Sequence, residues 1–152
     1  MAHHQSPLAV IVKGALAGAA GSAVMSAFVE RAPQLLGQVG MRPTAAAASP
    51  GDEERMSTDS VQAANGALHW AYGAAWGAYF AVLQSTFRPS SIIHGTFLGG
   101  LMTFAATKGI PKLGLGPAPR DREELVLSAS SHVVFGIATA IVYRILNLGR
   151  RG

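Results

Sequence analysis

A chain of 152 residues has room for one domain. Charged residues make up 13% of it, about half the ~25% usual for soluble domains, while 49% is hydrophobic and 18 residues are glycine. That balance argues against a charge-coated soluble domain and points to a bilayer. The net charge of +4 arises from 12 Lys and Arg scattered over loops and helix ends, with no run longer than Arg150-Arg151, so no nucleic-acid partner is expected. The absence of cysteine excludes disulfides, thiolate metal sites and thiol catalysis.

Four apolar stretches, residues 8–29, 63–87, 92–107 and 125–148, are each free of acidic residues. Crossing the ~30 Å hydrocarbon core takes ~20 mainly apolar residues, a length that three of them reach and the third stretch meets only marginally. The expected fold is all-α: one integral membrane domain over residues 1–152, a four-helix bundle with connections at 30–62 and 108–124.

The first stretch carries Gly14 and Gly18, small residues four apart that let helix backbones approach. Lys13 interrupts it and is expected to snorkel to the surface along its methylene stem. Met25-Ser26-Ala27 loosely resembles a cleavage site, but residues 1–7 hold no Lys or Arg and the apolar region is too long for a secretory signal, so the segment is expected to stay attached. The connection after it begins with Arg31 and Pro33, passes through the low-complexity run from Thr44 to Pro50 and reaches Asp52 and Asp59, either of which would cap the second helix.

On the second helix Gln62, Asn65, His69, Tyr72, Trp76 and Tyr79 recur at three- and four-residue steps and share one face, with Gly73 and Gly77 off that line. The third stretch opens with His94, read as interfacial, followed by Gly95 and Gly99. Three prolines and three glycines from Gly109 to Pro119 then predict irregular backbone at the membrane surface. Asp121 with Glu124 forms a capping-box-like start to the last helix, whose His132, Phe135, Thr139 and Tyr143 make a shorter stripe beside Gly136 and Ala140.

Lys13-Gly14 with Gly18 matches His94-Gly95 with Gly99, and His69, Gly73, Gly77 match His132, Gly136, Ala140. The chain is therefore expected to consist of two similar helical hairpins, related by an axis near the membrane normal. The pairs Gly14/Gly18, Gly73/Gly77, Gly95/Gly99 and Gly136/Ala140 are expected to pack helices, within the chain or between copies. With both ends on one side, that side holds five Lys and Arg and none of the eight acidic residues, against seven Lys and Arg on the other. The positive-inside rule counts cations only and is equivocal here; the cations placed directly against the membrane favour cytoplasmic termini.

A candidate functional centre lies between the second and fourth helices, at His69, Tyr72, Trp76, His132 and Thr139. Paired imidazoles among aromatics suit haem or a quinone. An intramembrane histidine also suits a proton or small-solute path. The plainer reading has both histidines hydrogen-bonded to Ser, Asn or backbone, with Trp70, Tyr72 and Trp76 as anchors and no cofactor; the chain is then a structural or assembly subunit, whose glycine faces should be exposed, or a binder of a small ligand within the bilayer. Glu30-Arg31 and the acidic group from Asp121 to Glu124 lack any paired nucleophile, metal-ligand spacing or phosphate loop, so no enzyme is expected.

The arrangement resembles the YagU-like family of small bacterial inner-membrane proteins. The residues that carry the resemblance are Gly14 to Gly18 and Ser26 to Val29, the His-led segment from His69 to Phe80, Gly95 to Gly100, the connection from Ile110 to Pro117, and Ser131 to Phe135. It implies four crossings and an inner-membrane location, with no assigned reaction. The partners it leaves are the lipid bilayer and, as an open alternative, further copies or a larger membrane complex.

Overall fold

The computed structural model describes residues 6–38, 58–87, 90–114, 119 and 121–148, and these are helical apart from short turns. Helix α1 spans Pro7–Gln38 and α2 Thr58–Phe87. Helix α3 spans Ser91–Phe104 and runs through a π-helical turn, Ala105–Gly109, into the short α4, Ile110–Lys112; α5 spans Arg122–Leu148.

Helix α1 begins with proline in its first turn, where a missing N–H costs nothing. Ser6 caps it, its Oγ accepting from the Ala9 N–H at 3.3 Å. The helix then passes Pro33, where the sequence suggested a loop, and ends at Gln38. An interior proline forfeits one hydrogen bond to the carbonyl four residues back, but the neighbouring Ala32 is packed into the interior at 1% exposure and tertiary packing outweighs the loss. Asp121 caps α5 as the spacing predicts, its Oδ1 accepting from the Glu124 N–H at 2.8 Å. Asp59 lies inside α2, whereas Asp52 and the run from Thr44 to Pro50 lie outside the described residues.

The expectation of irregular backbone is corrected over Lys108 to Lys112, while residues 115–118 and 120 lie outside the described residues. Helical backbone continues from Ser91 to Lys112 because the π turn widens the helix just before Pro111 and the Ile110 N–H reaches the Ala105 carbonyl, five residues back. A proline ring that would collide with a tight α turn is thus accommodated. At 1.5 Å per residue the run is roughly 33 Å long, and its last turns carry Lys108 and Lys112. It stops at Gly114, whose φ of 70° lies in the left-handed region and whose N–H bonds the Pro111 carbonyl at 3.0 Å.

Three helix pairings organise the bundle: α1 with α2, α3 with α5, and α1 with α5, while α2 meets α3 and α5 sparsely. The first two are antiparallel glycine seams. A Cβ on Gly14 would collide with the Gly77 carbonyl and stand 2.5 Å from the Ala81 Cβ, and one on Gly18 would collide with the Gly73 carbonyl. In the other seam Gly95 faces the Gly136 carbonyl, and a Cβ on Gly99 would lie 2.6 Å from the His132 carbonyl oxygen. Gly77 and Gly136 therefore hold corresponding places, whereas matching the sequences on His69 and His132 pairs Gly73 with Gly136. The contacts sit one helical turn from the register that the residue spacing suggests.

Phe80, Phe135, Leu98 and Met102 fill the centre with Ala17, Ala81, Ala140, Val10 and Tyr143. Large apolar side chains also cover the outside. Leu16 is 58% exposed, Phe97 66% and Ile145 57%, with Leu8, Val12, Val24, Ile93, Phe104 and Ile141 similarly placed. Two helical segments, Pro7–Ala32 (26 residues) and Arg122–Leu148 (27 residues), are long and apolar enough to cross a membrane.

Candidate functional site

The five residues singled out between α2 and α5 occupy separate settings. His69 turns toward α1, its Nε2 3.3 Å from Ser26 Oγ, with its ring edge-on to Trp70 at 6.3 Å. One turn on, Tyr72, Trp76 and Tyr79 form an edge-to-face ladder with centroids 6.0 and 5.7 Å apart. Trp76 is half-buried and packs on the core, while Tyr72 and Tyr79 are exposed along the flank of α2. The side chains of Gln62 and Asn65, which the stripe predicts to continue it, lie outside the described residues.

On α5 the His132 Nδ1 donates to the carbonyl of Ser128 in its own helix at 2.7 Å. Ser131 is buried and donates to the same carbonyl at 2.9 Å. Thr139 is wholly enclosed where α5 crosses α1, its hydroxyl set against the bare Cα of Gly21, which the Phe135 ring also approaches. Among the described residues its hydroxyl has no hydrogen-bond partner. Among the described residues no hydrogen bond or ring contact joins His69 to His132, and α1 supplies the surface against which both His69 and Thr139 rest.

A buried hydroxyl without a partner costs about 1–3 kcal/mol, whereas replacing it by an apolar group of the same shape is neutral or favourable. Thr139→Val is therefore expected to leave the fold intact and raise its stability by about 1 kcal/mol, read from the unfolding midpoint in detergent. A loss of stability would mean that the hydroxyl is satisfied in solution.

A different cluster gathers all four long helices at the end where the described residues begin and finish. Phe80 of α2 is fully buried, stacks on His94 of α3 at 4.6 Å and meets Tyr143 of α5 edge-on at 5.7 Å. His94, expected at the membrane surface, is instead 8% exposed, with Nδ1 2.8 Å from Gln84 Oε1. Lys13 does not simply reach outward: its Nζ donates to Asn147 Oδ1 at 2.8 Å, tying α1 to α5. Asn147 in turn donates to the Tyr143 carbonyl at 2.7 Å.

Neither family models, curated proteins nor solved structures match this chain.

The cluster has a signal in the spacing of α2. Gly73, Gly77, Phe80 and Gln84 follow one another at four- and three-residue steps, and this line, rather than the aromatic one beside it, is the buried face of α2. Chemically, the cluster is a set of interhelical hydrogen bonds and ring contacts, the means by which polar groups are satisfied between helices. No group of three or more His, Cys, Asp or Glu able to hold a metal occurs among the described residues.

Proposed function

We propose that this chain is an integral protein of the bacterial inner membrane, a four-helix bundle of two glycine-seamed hairpins that serves as a packing or assembly module within the bilayer. The observation that carries this reading is the distribution of side-chain size. Glycine, alanine and serine line the seams, while leucine, isoleucine, valine and phenylalanine cover the outer surface. In water such a surface would be an aggregation liability. In lipid it is solvated, and helices are held by close packing and interhelical hydrogen bonds instead of by hydrophobic exclusion.

The correspondence of Gly14, Gly18, Gly77 with Gly95, Gly99, Gly136 supports the two-hairpin repeat in the slipped register. The resemblance to the YagU-like family supports the inner-membrane location, and the termini are assigned to the cytoplasmic side. The seam glycines are consumed within the chain and are not the exposed faces expected of an assembly subunit, so association with further copies or other subunits would use the outer faces. No reaction is proposed.

Two other readings differ in what they require. A proton or solute path needs water to reach His69, His132 and Thr139. A haem or quinone subunit needs the two imidazoles to converge, whereas His69 is engaged with Ser26 and His132 with Ser128. Purified protein in proteoliposomes loaded with a pH-sensitive dye separates these. The assembly reading predicts no flux above that of empty vesicles, no visible absorption band, and a defined number of copies per particle by stepwise photobleaching. Flux that disappears in His132→Ala, or a Soret band that disappears in His69→Ala, would replace it.

A further inference from the structure

Charge is arranged unequally along the antiparallel helices. One end, where α1 and α4 finish and α5 begins, mixes signs: Glu30, Asp121, Glu123 and Glu124 lie there with Arg31, Lys108, Lys112 and Arg122. At the opposite end the charged side chains among the described residues are Lys13 of α1 and Arg144 of α5, both cationic. The sequence places Arg88, Arg150 and Arg151 just beyond Phe87 and Leu148, the last described residues on that side.

Lys13 is set apart from an ordinary surface lysine by its position. It lies roughly 9 Å along the helix axis from Pro7, is half-buried at the α1–α5 seam, and is held by Asn147 at 2.8 Å. Helical spacing puts Leu16 and Val24 on the same side of α1, and these are 58% and 46% exposed. A fixed ammonium near the membrane surface, continued inward by an open apolar lane, complements a phosphodiester with an acyl chain beneath it. Arg144 is exposed on α5 in line with Ile141, Ile145 and Leu148, all of them exposed, and offers a second cation with an apolar lane of its own.

We infer that this end of the bundle binds anionic phospholipid, with Lys13 as the fixed headgroup contact at the α1–α5 seam and Arg144 as a second on the outer face of α5. The inference rests on the membrane reading above. A basic residue near an anionic surface favours binding by about fivefold, so the pair gives the bundle a preference for one lipid class.

The test uses vesicles of equal parts phosphatidylglycerol and phosphatidylcholine, with flotation to establish insertion and native mass spectrometry of the extracted protein to count retained lipid. The wild type is expected to retain phosphatidylglycerol over phosphatidylcholine by about fivefold. Lys13→Gln should reduce the ratio by more than half, Arg144→Gln should reduce it less, and Lys13→Arg should keep it. Equal retention of the two lipids by the wild type, or an unaltered ratio in the double variant Lys13→Gln/Arg144→Gln, would overturn the inference while leaving insertion intact. Failure to float with these vesicles would overturn the membrane reading and this inference together.

Discussion

Gly77→Leu is expected to force α1 and α2 apart and abolish the native bundle. A Cβ on Gly77 would collide with the Gly14 carbonyl and stand 2.5 Å from the Cα and N of Gly18, all backbone atoms that cannot rotate away. Even Gly77→Ala should cost about 1–3 kcal/mol, the usual range for overpacking a filled interior, and leucine should exceed it. Gly66→Ala and Gly100→Ala are the matched controls: among the described residues a Cβ at either position meets nothing within 4 Å. Relief of glycine's poor helix propensity should make each neutral or more stable by up to about 1 kcal/mol. Unfolding in mixed micelles, followed by circular dichroism and a proximity label across α1 and α2, would check the series. Equal effects at Gly77 and Gly100 would contradict the seam.

Phe80→Ala is expected to have the second largest effect, because one ring joins three helices. It is fully buried, stacked on His94 and edge-on to Tyr143. In a water-soluble protein such a truncation costs about 3–5 kcal/mol, part of it the lost transfer from water. In a bilayer that transfer part largely vanishes, because the separated helices would still lie in hydrocarbon, and a loss nearer 2–3 kcal/mol is expected from packing alone. The variant should also loosen the His94–Gln84 hydrogen bond, visible as a shift of the His94 imidazole resonance, and Gln84→Leu should reproduce that shift without the full loss of stability. A Phe80→Ala protein as stable as the wild type would remove the three-helix junction from this account.

Much of the architecture was legible in residue spacing, for reasons that also set its limits. Four apolar stretches gave four long helices, and the glycine pairs marked the faces that meet, since residues three or four apart share one side of a helix. The same periodicity hides register. Sliding one helix by four residues along another keeps every residue on its face, so the sequence could not separate Gly14 opposite Gly77 from Gly14 opposite Gly73. The polar and aromatic stripe from His69 to Tyr79 drew attention through its unusual composition, while the buried line Gly73, Gly77, Phe80, Gln84 ran beside it with less conspicuous residues. Proline misled twice. Pro33 and Pro111 both sit in helical backbone, the first beside the buried Ala32 and the second behind a π turn, and neither compensation has a signature in a single sequence.

For the candidate centre, spacing placed His69 and His132 at comparable depth but could not say which neighbour each would choose. The structure directs His69 to Ser26 on α1 and His132 to Ser128 on its own helix. Lys13 and Asn147 stand 134 positions apart in the chain and meet only because α1 and α5 pack antiparallel.

The central claim is that the apolar outer surface is solvated by lipid, and the chain suits a direct test because it contains no cysteine. Single cysteines at Leu16, Phe97 and Ile145, outward positions 58%, 66% and 57% exposed, would carry a nitroxide in reconstituted vesicles. Electron paramagnetic resonance would then compare collision with oxygen, which concentrates in hydrocarbon, and with a water-soluble nickel chelate. High oxygen and low nickel accessibility at all three positions is the predicted result. Nickel accessibility comparable to that of a label at exposed Arg122 would contradict the membrane bundle.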